Sequence, residues 1–292
     1  MTLPHGRRAA HDGPMTTITV GISGTATAHP ALDWAVERAL SVDAEVELVH
    51  VIDVSWGAPP PEFIESAVLE AEQKLHSLET LTVQQNPTLR LRSVVRIGAP
   101  VAELAAGAES SDLLVIGSHR AHKNAEHASS HRPARIAAAA ACSVVVVPDD
   151  EGGKRRGIVV GVDGSAASDA AVAFAAKEAD RYGEKLSVIY SWFAPQPWAE
   201  TSLAFLWPGE PHDEDRLIVA EAIAGLAEDY PDLAIESDVV LDDPANALLN
   251  ASSHARMLVV GNRGRHGFAK ALLGSVSESV VWGLRSTVAV IR

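Results

Sequence analysis

The residues best suited to chemistry lie in two short stretches, each following an apolar run that reads as a strand. Val162-Asp163-Gly164-Ser165 follows GIVVG, and Gly261–Val280, GNRGRHGFAKALLGSVSESV, follows MLVV. An aspartate at a strand end beside a helix start accepts hydrogen bonds from hydroxyls or an amine. Asp163 therefore suits a ribose or an adenine, although the same residue type also caps helices. Gly261 ends the strand, and Gly264 and Gly267 permit close backbone approach and positive φ in the loop. Ser275-Val-Ser-Glu278 reads as a capping box, with a helix starting at Gly274–Ser275. Free N–H groups at that end, together with the helix dipole, form a cradle for phosphate. Glu278 in the first turn works against a highly charged anion.

A scaffold must bring these stretches together, and an internal repeat supplies it. TITVGISGT (Thr17–Thr25) matches GIVVGVDGS (Gly157–Ser165), and DLLVIG (Asp112–Gly117) matches RMLVVG (Arg256–Gly261). Gly21 to Gly161 is an offset of 140 and Gly117 to Gly261 one of 144, so whole domains are duplicated. The copies close with SVVVVP (Ser143–Pro148) and TVAVIR (Thr287–Arg292). The expected division is a functionless leader at 1–14, a first domain at 15–148, a charged linker at 149–156 and a second domain at 157–292. In the first copy the strands are expected at Ile18–Ile22, Val46–Ile52, Leu91–Ile97, Leu113–Ile116 and Val144–Val147. Helices are expected at Ala31–Leu40, Glu62–Gln84, Val101–Ala108 and Ala134–Ala141. Continuous apolar strands alternating with helices predict an α/β fold: two tandem Rossmann-like domains, each an open five-stranded parallel sheet with helices on both faces. In such sheets ligands bind at the carboxyl ends of the strands, where the strand order reverses.

Gly261-x2-Gly264-x9-Gly274-Ser275, with GVDGS at 161–165, resembles the nucleotide signature of ATP-binding universal stress proteins. The resemblance covers both copies, residues 16–292. It implies that Asp163 contacts the adenosine and that Val260 lies near the base. It also implies that Gly261, Gly264, Gly274, Ser275 and Val276 hold ribose and phosphates. Arg263 either adds charge at the phosphates or is simply a solvated arginine. The implied cofactor is ATP, with Mg2+ as an allowed companion. The resemblance further implies pairing of the terminal strands, here within one chain, and allows a homodimer.

The first copy departs from the pattern. Ser23 stands where Asp163 does, Arg120 replaces the second glycine, and Ser130–His131 replaces Gly–Ser. Its nucleotide site is read as degenerate. The same loop gathers His119, His122, His127 and His131, for which solvated side chains are preferred over a metal site. The second copy carries Trp192, Trp198, Phe205 and Trp207 among prolines, read as loop packing ahead of a lid or a partner surface.

Composition narrows the function classes. Of 292 residues 47% are hydrophobic and 21% charged, as in a globular protein. A net charge of −14 argues against nucleic acid as partner. No apolar run reaches the ~20 residues of a membrane span. The single cysteine, Cys142, reads as a small core residue and fits a reducing, cytoplasmic setting. No P-loop lysine pattern and no Ser-His-Asp signature accompany the cradle. The expected function is thus a nucleotide-binding regulatory or stress-response protein. It would act through nucleotide-dependent shape or binding of a protein partner of no legible identity, with at most slow ATP hydrolysis. An adenylyl-transfer enzyme is the alternative, disfavoured because GVDGSAAS (161–168) stands where a pyrophosphate loop would be; a nucleotide-free interaction scaffold is the other.

Overall fold

A computed structural model describes residues 16–23, 29–118, 131–149, 155–192, 213–265 and 273–292. The leader, most of the linker, Arg120, Ser130, Gly267, three of the four loop histidines and Trp198, Phe205 and Trp207 lie outside these residues.

The first half runs β1 (Thr17–Ile22), α1 (Pro30–Val42), β2 (Glu45–Asp53), α2 (Pro61–Gln85), β3 (Arg90–Gly98), α3 (Pro100–Gly107), β4 (Leu113–Gly117), α4 (Arg132–Ala139) and β5 (Ser143–Val147). The second runs β6 (Ile158–Val162), α5 (Ala166–Tyr182), β7 (Leu186–Trp192), α6 (Asp213–Ile223) and a short α7 (Leu226–Asp229). It continues with β8 (Ile235–Leu241), α8 (Pro244–Ala251), β9 (Met257–Gly261), α9 (Ser275–Trp282) and β10 (Thr287–Ile291). Each of α1 to α4 begins with proline at its first or second position, where the missing N–H costs nothing.

The strand order is β3-β2-β1-β4-β5-β10-β9-β6-β7-β8. Every neighbouring pair is parallel except β5 and β10, which pair antiparallel with Val288 opposite Val146 and Val290 opposite Val144. The two expected five-stranded sheets are therefore one sheet of ten strands. The reason lies in side-chain burial: all five residues of β10 are buried and β5 reads Ser-Val-Val-Val-Val with only the serine half-exposed. Left apart, each would be a long apolar edge, the kind of edge that recruits other chains. The actual outer strands carry Arg90, Arg92 and Arg96 on β3 and Glu236 and Asp238 on β8, charges that discourage further pairing.

Both faces of the sheet are covered, and both cores cross the junction between halves. One core joins Trp34, Ala35 and Ala39 of α1 to Ala171, Ala175 and Ala179 of α5 over Val20, Val145, Val160 and Ala289. The other joins Ala134 and Ile136 of α4 to Val280 and Val281 of α9 over Leu114, Val146, Leu258 and Val288. Where α1 and α5 meet, the buried carboxylate of Glu178 pairs with both Arg38 and Arg181. Arg292 closes the other face, donating from Nη2 to the carbonyls of Ala137 and Ala138 at 3.0 Å each, at the end of α4. Cys142 is half-buried against the second core, and burial pushes its thiol up, away from reactivity.

Candidate functional site

In the second half the chain lays β6 first, adds β7 and β8 on one side, then returns to place β9 and β10 on the other. The order therefore reverses between β6 and β9, and the carboxyl ends of these two strands flank a crevice. Asp163 follows β6 directly and Gly261 is the last residue of β9. Sequence separation of about a hundred residues is cancelled by one parallel strand pair, with Val160 opposite Val259.

Asp163 is half-buried. Its Oδ1 accepts the amide of Ser165 at 3.0 Å, an Asx turn, and its Oδ2 accepts the amide of Arg265 at 2.9 Å. The helix-cap role goes elsewhere: Ser165 is the N-cap of α5, its hydroxyl accepting the Ser168 amide at 3.2 Å. Each carboxylate oxygen has a second lone-pair direction, so Asp163 retains capacity to accept from a ligand. Gly264 makes this arrangement possible, since a Cβ there would stand 2.6 Å from Asp163 Oδ2. Gly261 is required for a different reason. A Cβ on it would stand 2.8 Å from the backbone carbonyl of Ala167, so the close packing of β9 on α5 depends on it.

The capping box does not form. The N-cap of α9 is Gly274, extended at φ −74° and ψ 151°, and no side chain caps it. Ser275 is already the first helical residue, so its hydroxyl is one position too late, and Glu278 falls beyond the third position. Tertiary bonds set this register: the Gly274 amide donates to Asn262 O at 2.8 Å, and the Ser277 hydroxyl donates to Gly261 O at 2.6 Å. The Glu278 amide is taken by Gly274 O at 2.8 Å, closing the first turn. By contrast α5 and α8 are capped by Ser165 and Asp243. Without a capping side chain, the amides of Ser275 and Val276 at the start of α9 suit an anion better than the sequence pattern suggested. Glu278 is exposed, which screens its repulsion.

The remaining expected residues occupy distinct surroundings. Val260 is 3% exposed and belongs to the core on the α9 side of the sheet. Arg263 is exposed, and its charge, after burial itself, is what lowers Arg292 from the usual guanidinium range. Two cations thus stand near the strand end.

Sequence reasoning missed four contributors. Asn262 and Ser277 fix the loop and the helix start, Arg265 contributes its backbone amide, and Tyr190 lies on the adjacent β7 opposite Val162. The Tyr190 phenol is pushed up to about 12, first by burial and then by its hydrogen bond to Asp215 of α6. It stays neutral at physiological pH and feels the charges of Arg265 and Asp163. Only the polar residues inside the glycine-rich stretch could have hinted at these roles.

In the first half Ser23 and Gly117 hold the positions of Asp163 and Gly261. His131 precedes α4 as an uncapped N-cap, and its ring meets Trp282 of α9 edge-on at 3.8 Å. Among the described residues no group of three or more His, Cys, Asp or Glu could hold a metal ion. No described helix is long and apolar enough to cross a membrane.

Comparison with known proteins agrees with this architecture. The model of the universal stress protein family matches twice, at residues 15–148 and 154–292. A universal stress protein of Mycolicibacterium smegmatis is 30% identical over 292 residues, covering 94% of this chain and 96% of the relative. Universal stress protein Rv2005c of Mycobacterium tuberculosis is 28% identical over 289 residues, with 94% and 96% covered. Among solved structures, a universal stress protein from Archaeoglobus fulgidus superposes with a TM-score of 0.71 at 18% identity, covering 94% of this chain and 96% of that one.

Proposed function

Because the chain belongs to the universal stress protein family, we propose that it is an adenine-nucleotide-binding regulator whose nucleotide site lies in the second half. Asp163 accepts from the adenosine, with Val260 backing the base. Gly261, Gly264, Gly274, Ser275 and Val276 bring backbone against ribose and phosphates, and Arg263 adds positive charge. ATP is the nucleotide proposed, with Mg2+ as its companion on the phosphates. The supporting observation is the combination of an uncapped α9 N-terminus with a carboxylate that only glycine at 264 leaves in place.

Among the described residues no nucleophile–base pair accompanies this crevice, so hydrolysis would be slow and the output conformational. Binding would draw on the Arg265 amide that Asp163 now holds, and so move the loop between β9 and α9. A protein partner that reads this loop, in the cytoplasm, completes the reading. The test is nucleotide content: the purified protein is denatured and its supernatant resolved by ion exchange. About one ATP or ADP per chain, lost in Asp163→Ala, is expected. Two per chain would place a live site in the first half as well. A turnover above ~1 per second would make the protein an enzyme instead.

A further inference from the structure

The first half carries two adjoining cavities at the carboxyl ends of β1 and β2. The larger, about 870 Å³, lies beneath α2 and is walled largely by Ile52, Trp56, Phe63, Leu75, Leu78 and Leu81. The smaller, about 280 Å³, lies on the α3 and α4 side among Val51, Leu104, Ile116, Ser118 and Arg132. Ile22, Ser23 and His50 line both, so the two adjoin at the strand ends. The larger is of a size that suits a small organic ligand, whose pockets run ~300–1,000 Å³.

The chemistry of the lining is poorly suited to a polyphosphate. Arg132 Nη2 is already engaged with Asp53 Oδ2 at 3.2 Å, and Lys74 Nζ with Glu70 Oε1 at 2.6 Å. Asp53 holds its charge firmly, because the Ser55 hydroxyl, and further down the Arg132 cation, keep its carboxyl below the usual range. The helix start is also poorer in donors than that of α9. α4 opens Arg132-Pro133, and proline has no N–H to offer.

Among the described lining residues one buried side-chain polar atom lacks a partner. Ser118 is 6% exposed, lines the smaller lobe, and its hydroxyl has no hydrogen-bond partner. A buried hydroxyl in that state is costly until something pairs with it. At the other end, Trp56 and Phe63 stand 68% and 56% exposed on the rim of the larger lobe, apolar surface that an apolar body would cover.

We propose that this space is a second ligand site, taking an uncharged, mainly apolar small molecule whose single hydrogen-bonding head group meets Ser118. The two halves would then sense different chemistry, nucleotide in one and a lipophilic compound in the other.

The full-length protein is titrated with N-phenyl-1-naphthylamine, an uncharged dye that brightens in apolar surroundings. One saturable site per chain is expected, indifferent to excess ATP and unaffected by Asp163→Ala. Ala67→Trp, which places an indole in the larger lobe, should abolish binding. Should that variant not fold, Phe63→Ala decides, since its exposed side chain can be removed without a core penalty and should weaken binding several-fold. The head group is read by competition: Ser118→Ala should weaken displacement by 1-naphthol while leaving naphthalene unchanged. Absence of saturable binding would overturn the proposal. So would displacement of the dye by ATP in Asp163→Ala, dye binding undiminished by either lobe variant, or equal response of the two competitors to Ser118→Ala.

Discussion

Asp163 and Arg265 meet across the crevice between β6 and β9, the carboxylate Oδ2 accepting the arginine's backbone amide at 2.9 Å. This single bond joins the two stretches whose residue types suggested nucleotide chemistry. It also tells which substitution should separate binding from folding.

Gly264→Ala would drive a methyl group to within 2.6 Å of that carboxylate and push it aside. Gly264 is exposed, so stability should hold within ~0.5 kcal/mol, whereas ATP affinity should fall by roughly tenfold or more, about 1.4 kcal/mol. Titration calorimetry beside a urea melt distinguishes the two effects. An unchanged dissociation constant would remove Asp163 from the site.

Gly261→Ala should behave in the opposite way. Its new methyl would strike the backbone of Ala167 rather than a movable side chain. Overpacking of that kind costs ~1–3 kcal/mol, visible as a lower urea midpoint even with no nucleotide present. A midpoint equal to that of the unmodified protein would show that β9 and α5 can separate without strain.

The carboxylate of Glu178 is 1% exposed and is shared by Arg38 and Arg181. Burial, and next the Arg181 charge, push Arg38 down to about 10, which still leaves it charged at neutral pH. Glu178→Ala would strand the largely buried Arg38 at the seam between halves, while Arg181 keeps its ion pair with Glu37 at 3.3 Å. Removing one partner of a buried pair costs ~3–5 kcal/mol, and replacing Arg38 by leucine as well should recover part of it. Chemical denaturation of both variants measures this; equal stability of Glu178→Ala and the parent would mean the seam admits water.

Glu184 gives a pH signature. Burial raises its pKa, but the hydrogen bonds from Arg256 and the Gly157 amide outweigh it and hold the carboxyl below its ordinary 4.5. A folded-state value below the unfolded one contributes stability above the unfolded pKa, lost as pH falls through the folded value. Glu184→Gln should therefore lose about 1–2 kcal/mol at pH 7, allowing for partial solvent screening. The gap should close below about pH 4. A gap that persists at pH 3 would assign the loss to packing instead.

Residues 155–292 expressed alone would expose β10, buried at all five positions in the whole chain. Light scattering after gel filtration should find a dimer, β10 pairing with its own copy as it now pairs with β5. A well-behaved monomer would mean that the apolar edge is no liability.

Much of this architecture was legible because parallel strands buried on both faces leave an unmistakable mark. Leu113–Gly117 and Met257–Gly261 are apolar throughout, and the repeat places them at matching points. The helix starting at Ser275 was also legible, but its cap was not. Ser275 and Glu278 satisfy the local pattern, yet Asn262 O and Gly261 O capture the Gly274 amide and the Ser277 hydroxyl and shift the register by one residue. Arg265 was invisible for a simpler reason: it contributes a main-chain N–H, which every residue type but proline possesses. The space around Ser118 was hidden as well, since cavities arise where helices stand away from strand ends, and residue spacing does not encode that distance.

The antiparallel seam between β5 and β10 turns one half of the sheet end for end relative to the other, so the two mouths open on opposite rims. A dimer of identical subunits is bound by its two-fold axis: any substitution that reshapes one mouth reshapes both. Covalent fusion lifts that constraint while keeping the same seam. One rim is free to keep Asp163 while the other carries Ser23 in its place, and the molecule becomes a two-fold body with two unlike faces. A partner large enough to cover one rim leaves the opposite rim open to solvent, so both can report at once.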